Sequence, residues 1–274
     1  MRTRIPREKG YQRRWGEFTH QRLHGLRRAV STENIYQAVI RSARKHVTPR
    51  GVLTWLDIGA GEGDLVRLVA YSFPADIKAC DYHIDRFSAS AVPIARVDLD
   101  HDRLPYADGE FDVVSCSEVV EHLENYRGLL REIFRVLAPG GVTILTTPNV
   151  LNMQSRVRFF SAGFFNLFGP LPVRHDERYS TGAHITPIPY FYLGHALMDA
   201  EFTTIFFDID KWQRHSVFWF ITLSPLLILG WLKFLWQEHV TFRTITRTNR
   251  PLVYEHVSAK ALMGRTIVVS AIKG

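Results

Sequence analysis

Between Val52 and Asn149 the chain alternates short apolar runs with stretches of helical periodicity, and that rhythm narrows the fold more than any other feature. "VLTWLDIG", "ADIKACD", "VPIARVDLD", "FDVVSCSE" and "GVTILTTPN" read as strands, while "GDLVRLVAYSF" and "RGLLREIFRVL" read as helices. Runs that are apolar on both faces must be buried on both faces, which means a parallel sheet with helices above and below it. Residues 31–47 form a helix ahead of this block, with Ser31 or Thr32 placed to cap it. Beyond the block, "PYFYLGHALMDAEF" restores a helix, "TTIFFDID" is a sixth strand and "RTIVVSAIKG" a last one. The expectation is an α/β domain over residues 31–274, built on a seven-stranded, mostly parallel sheet. Two insertions interrupt it: an irregular one at about 150–188, and one at 211–264 that ends in a polar linker from Gln237.

Charge is unevenly spread. Residues 1–50 hold thirteen Lys or Arg against three acids, whereas the whole chain of 274 residues carries only +7, so the remainder is slightly acidic. A basic arm over residues 1–30 suits a polyanion, either a nucleic acid or an anionic lipid surface. The start has no apolar core of the kind a secretory signal needs. Cys80 and Cys116 lie apart in strand-like runs, show no metal-ligand spacing, and read as reduced core thiols in a cytoplasmic setting.

"LDIGAGEGDL" joins the first strand to the first helix of the block. Gly59, Gly61 and Gly63 allow a tight turn and close approach of a ligand, and the helix that follows aims its amide N–H groups at that ligand. Asp81 closes the second strand about twenty residues on, where an acid can accept both hydroxyls of a ribose. "RVDLD" offers Asp98 to an adenine; a carboxylate at a strand end can equally cap the next turn. The spacing GxGxG departs from the dinucleotide pattern GxGxxG, which argues against a dehydrogenase.

Together with "VDLDHDRLPYADGEFDVVSCSEVVEHLEN" and "LLREIFRVLAPGGVTILTTPN", these motifs closely resemble the class I S-adenosylmethionine-dependent methyltransferases, in their small-molecule branch. The resemblance implies a Rossmann-like fold and S-adenosyl-L-methionine as cofactor. It implies that Asp57, Gly59, Ala60, Gly61 and Gly63 line the methionine part, that Asp81 and Tyr82 hold the ribose, that Asp98 and Leu99 flank the adenine, and that Ser117 and Glu118 lie near the sulfonium. "SEVVEHLEN" looks like the matching segment of the ubiquinone-pathway O-methyltransferases, where such residues accompany a divalent cation. On a helix, Glu118, Glu121 and His122 would share one face and make such a site geometrically feasible, but local packing of these side chains is the reading favoured here. His122 or His184 is the candidate general base for a hydroxyl acceptor, with Glu118 beside them. "NPPY", typical of enzymes that methylate amino groups of nucleic acids, is absent, and no RNA-binding module is recognisable.

"SVFWFITLSPLLILGWL", Ser216 to Leu232, has no charge. As a helix rising ~1.5 Å per residue it could cross a ~30 Å hydrocarbon core. A single crossing would, however, leave the sixth and last strands of one sheet on opposite sides. Pro225 interrupts the run. Residues 216–236 are therefore read as a kinked, membrane-dipping helix pair, and Arg156–Pro172 as a second dip. An apolar lid over the site, or a homodimer contact, would satisfy the same surface. The expected activity is methyl transfer to a small-molecule or lipid-linked acceptor at the cytoplasmic membrane face. An RNA or protein methyltransferase using the basic arm, and an inactive cofactor-binding scaffold, are the alternatives.

Overall fold

The computed structural model of the chain describes residues 30–48, 51–171 and 183–274; the basic arm therefore lies outside the described residues. The elements run α1 (Val30–His46), β1 (Leu53–Ile58), α2 (Asp64–Ser72), β2 (Ala75–Asp81), β3 (Ile94–Arg96), β4 (Phe111–Ser117), α3 (Tyr126–Val136), β5 (Leu137–Pro148) and α4 (Met153–Ala162). They continue with α5 (Tyr190–Asp199), β6 (Phe202–Ile209), α6 (Arg214–Trp236), α7 (Arg250–Glu255), α8 (Ala259–Met263) and β7 (Thr266–Lys273). The strands form one sheet in the order β3-β2-β1-β4-β5-β7-β6, parallel except for β7, which is antiparallel to both neighbours. The seven-stranded, mostly parallel sheet expected from the sequence is the one present.

Strand alternation sorts the core into two layers. Leu56, Val114 and Leu145 face α3 and α5; Trp55, Val113 and Ile144 face α1 and α2. Each such side chain contributes roughly 1.5–3 kcal/mol on full burial. The parallel strands end together at Ile58, Asp81, Ser117 and Pro148. Chain order reverses between β1 and β4, where open α/β sheets leave a crevice for a ligand.

Several local expectations are corrected. Residues Val30–His46 are helical, so Ser31 and Thr32 both lie inside the helix and neither precedes it. The third strand shrinks to three residues, leaving Asp98 in a turn. The insertion after β5 holds a helix, α4, started by the Asn152 side chain, which accepts from the Ser155 N–H at 2.9 Å. The stretch after Gln237 is not a plain linker; it carries a π-helical turn, α7 and α8.

The apolar run is one continuous helix of 23 residues, not a pair. Pro225 removes one N–H, which would leave the Ile221 carbonyl without its intrahelical partner. The Ser224 hydroxyl donates to that carbonyl at 3.2 Å, so the ladder continues past the proline. The excursion is closed at its base: Trp212 bridges Gly264, the Gln213 N–H donates to the Met263 carbonyl, and the Arg265 N–H to the Lys211 carbonyl. The return leg meets the helix again where the Tyr254 ring lies 6.1 Å from Trp231.

Candidate active site

The turn after β1 is held by its backbone. The Gly59 and Ala60 N–H groups both donate to the Cys80 carbonyl, at 2.9 and 3.2 Å, which ties the turn to the end of β2. Gly59 has φ +71°, and a Cβ there would stand 2.2 Å from Val119 Cγ2, so only glycine lets the turn lie against the segment after β4. Gly61 also has positive φ, but nothing lies within 4 Å of where its Cβ would be: the turn is open on that side. Gly63 caps α2 in the left-handed region.

Asp81 sits beside this opening. Its two oxygens accept one backbone N–H each, from Gly61 at 2.8 Å and His83 at 2.7 Å, so the carboxylate is fixed in direction and keeps lone pairs for further donors. Tyr82 follows with its ring part-exposed. Asp57 lies at the bottom, buried, accepting from the Ser115 hydroxyl at 2.7 Å. Burial pushes its pKa up to about 7, against the Ser115 hydrogen bond, with a smaller upward push from Asp81. Asp98 organises the 98–102 turn: its Oδ1 accepts from the Asp100 N–H, and its own N–H donates to Asp102. Leu99 packs on the core beneath.

At the end of β4, Ser117 shares a 2.9 Å hydrogen bond with Thr146. Glu118 adopts φ +56°, uncommon for a residue with a Cβ, and is held there by β5. Its N–H donates to the Thr146 carbonyl, and the Thr146 hydroxyl donates to Glu118 Oε1 at 3.1 Å. Burial raises the Glu118 pKa to about 7. Thr146 and Ser115 escape sequence reasoning: hydroxyls inside apolar strands carry no local mark of function, and the doubled threonine of "TILTTPN" is the one available hint.

The segment 120–122 is a single 3-10 turn, so the shared helical face expected for Glu118, Glu121 and His122 does not form. His122 meets His184 instead. The His122 Nδ1–H donates to the Ala183 carbonyl at 2.9 Å, and the two imidazoles stand edge to face, 4.8 Å apart. Phe168 covers His184 at 5.2 Å. Burial lowers both histidine pKa values, His184 further through His122, so both rings are neutral at pH 7.

A glycine turn open to one side, a fixed carboxylate beside it and a buried acid below form a cradle for a nucleoside with a charged tail. The family described as a methyltransferase domain matches residues 18–205, well over half of the chain. The chain belongs to the class I S-adenosylmethionine-dependent methyltransferases. A ubiquinone biosynthesis O-methyltransferase of Psychrobacter cryohalolentis is 28% identical over 144 residues, 48% of this chain and 55% of that protein. A sterol 24-C-methyltransferase of Neurospora crassa is 31% identical over 143 residues, 48% of this chain and 36% of that protein. The chain thus spans about half or less of these relatives. Among solved structures, a SAM-dependent methyltransferase of Archaeoglobus fulgidus superposes with a TM-score of 0.52 at 15% identity, covering 87% of this chain and 94% of that one, and shares the fold.

The methyltransferase cofactor, S-adenosylmethionine, fits what the cradle offers. The open side of Gly61 would admit it, Asp81 keeps lone pairs that would suit ribose hydroxyls, and Asp57 and Glu118 are acids in a site that would face a cation. When bound, the cofactor supplies a methyl group on a sulfonium leaving group.

Proposed function

We propose that this chain transfers a methyl group from S-adenosylmethionine to a hydroxyl of a small-molecule or lipid-linked acceptor at a membrane surface. The observation that carries the membrane part is the attachment of α6 to the segment that follows β5. The Ser216 hydroxyl hydrogen-bonds Asn152 Oδ1 at 3.0 Å and accepts from the Gln154 N–H, so the helix starts on the loop that ends β5. From that anchor α6 presents Phe218, Ile221, Leu226, Ile228, Leu229, Leu232 and Trp236, each more than half exposed. Helix α4 lies against it and adds Phe160, 93% exposed. An exposed apolar face of this size needs a partner.

Charge favours a bilayer over a second copy of the chain. Arg214, Lys233, Arg243, Arg247 and Arg250 are exposed along the excursion, and each basic group near an anionic surface contributes about 1 kcal/mol. Because the base of the excursion is closed, α6 lies in the interface and does not carry the chain across. Relatives named for ubiquinone biosynthesis and for sterol methylation support an apolar acceptor.

For a hydroxyl acceptor the chain must hold the oxygen in line and take its proton. His122 supports this role because its Nδ1–H is committed to Ala183, which leaves the Nε2 lone pair. His184 stands next to it, neutral for the same reason of burial. In-line positioning and exclusion of water supply the rest of the rate.

The test is calorimetric binding of S-adenosylmethionine with and without sedimentable anionic liposomes, followed by methyl transfer to a lipid extract. Micromolar binding, pelleting with the liposomes and a labelled lipid product are expected. Binding without pelleting would return α6 to the role of lid or dimer contact, and salt-sensitive RNA binding would favour a nucleic-acid acceptor instead. Unchanged rates in both His122→Ala and His184→Ala would remove the histidines as bases.

A further inference from the structure

Strands β5 and β7 pair Pro148 with Thr266, so the segment leaving β5 and the segment entering β7 stand at the same end of the sheet as Asp81 and Glu118. Helix α4 begins there, with Arg156 in its first turn. The Arg156 Nε–H donates to the Leu151 carbonyl at 2.7 Å, which sets the guanidinium against the chain ahead of the helix and leaves its two Nη groups as a fork. The side chain is part-buried, and burial pushes its pKa down, yet a guanidinium keeps its proton at pH 7. Among the described residues no carboxylate pairs with it. Arg135 and Arg265, also shielded, pair with Glu132 and Asp108 and with Asp210. A shielded cation without a counter-ion is unfavourable, which points to an anion from outside the described chain.

His256, just after α7, stands within reach of that charge: burial, and then the guanidinium, push its pKa down to about 4. The ring is therefore neutral at pH 7, and its Nδ1 is buried with no partner. Tyr190 and Phe191, which open α5, lie 6.3 and 6.0 Å from it. On the other side of Arg156, the Asn166 N–H donates to the Ser155 hydroxyl at 2.9 Å, and Phe168 lies 5.2 Å from His184. The chain from His184 to Tyr190 joins these two ends, so Arg156 is tied to the histidine corner by two routes. On α4, Phe160 follows Arg156 by four residues, and the two share a face of the helix. Phe160 is 93% exposed. One helical turn thus carries a shielded cation and then an apolar side chain in the open, which is what the polar group and the tail of an amphiphile require.

Building on the methyl-transfer reading above, we propose that Arg156 binds a phosphate of the acceptor, which makes the acceptor a phosphorylated amphiphile with its tail toward Phe160 and α6. Two Nη–H groups match two oxygens of one phosphate in parallel. The neutral His256 can donate to a third oxygen from Nδ1, in the tautomer that carries its proton there. A carboxylate has no third oxygen to offer. His122 and His184 stay free to take the proton of the acceptor hydroxyl.

The test is calorimetry of the full chain with geranyl phosphate, geraniol and inorganic phosphate. Geranyl phosphate is expected to bind about tenfold or more tightly than either of the others, because it alone offers both anion and tail. Arg156→Gln should weaken it about tenfold or more and leave geraniol unchanged, while Arg158→Gln, two residues along the same helix, should stay within about twofold. Retained S-adenosylmethionine binding checks folding in each variant. Geranyl phosphate bound no better than geraniol, or undiminished in Arg156→Gln, would overturn the site. An equal loss in Arg158→Gln would reduce it to the general charge of the helix and overturn it as well. Inorganic phosphate as tight as geranyl phosphate would support the anion site and overturn the amphiphile. Binding needs no turnover, so Arg156-dependent binding in a chain that methylates no lipid extract would sink the proposed reaction and leave the anion site standing.

Discussion

Strand β5 and helix α6 are both long apolar runs, and the fold treats them in opposite ways. From Val142 to Pro148 every residue of β5 is buried, whereas in α6 Ser216 alone is. The difference lies in what surrounds each run. Strand β5 has β4 on one side, β7 on the other and helices on both faces, so each side chain meets protein whichever way it points. Helix α6 has α4 and α8 against one face and, among the described residues, no packed layer against the other. Apolar composition therefore says that a run avoids water, and the neighbouring layers decide whether protein or something outside it supplies the shelter.

The contrast can be tested in order of expected effect. Leu145→Ala, in the middle of β5, should cost about 3 kcal/mol of unfolding free energy through lost burial and the cavity left behind, read from a denaturant midpoint. Asp81→Ala should lower the stability read from that midpoint by about 1–2 kcal/mol, through loss of the Gly61 and His83 hydrogen bonds, while weakening S-adenosylmethionine about 100-fold in calorimetry, since it removes a fixed acceptor at the open side of the turn. Replacing Ile221, Leu226 and Leu229 together with serine should reduce liposome pelleting at least tenfold, because each buried CH2 contributes ~0.8 kcal/mol to membrane binding. Cofactor binding should survive that change. A parallel loss of both would mean that α6 supports the site and is not a separate surface.

A fourth test concerns pH. Asp57 has its pKa raised to about 7 by burial. Its charged form is the one that would attract a cationic cofactor, so affinity should rise about tenfold or more between pH 6 and pH 8; Asp57→Asn should reduce the rise, and Glu118, whose pKa is also raised to about 7, should carry what remains. The smallest effect closes the comparison. Leu229→Ala, at a residue 67% exposed in α6, should shift stability by no more than ~0.5 kcal/mol, against the large cost of the same substitution in β5.

Most of the sheet was legible because strand and helix periods are local. Val113 and Val114 face opposite layers simply because they are adjacent in a strand, and Gly59, Gly61 and Gly63 mark positive φ by their identity. The exceptions have physical causes. The proline in α6 read as a break because the sequence does not say that the Ser224 hydroxyl will take the orphaned carbonyl. Helix α4 was hidden in a Phe- and Arg-rich stretch that leaves Phe159 and Phe160 exposed, so its pattern is not that of a helix on a closed core. The Glu118–Glu121–His122 group assumed an α-helix where the chain makes one 3-10 turn.

What the sequence determined by itself is the cofactor half: a strand, a glycine turn, a helix and an acid at the end of the next strand, each encoded within a few residues. What the tertiary structure decided is the other half. It set His184 beside His122 and Glu121, put the Thr146 hydroxyl on Glu118, and closed the base of the excursion through Trp212 and Gly264. These contacts join segments about thirty to sixty residues apart, and the segments themselves are held together by backbone hydrogen bonds: Glu118 N–H to the Thr146 carbonyl, Ile185 and Thr186 N–H to the Glu121 carbonyl, and Gln213 N–H to the Met263 carbonyl. Any residue could supply such bonds, so nothing in the side-chain pattern announces them.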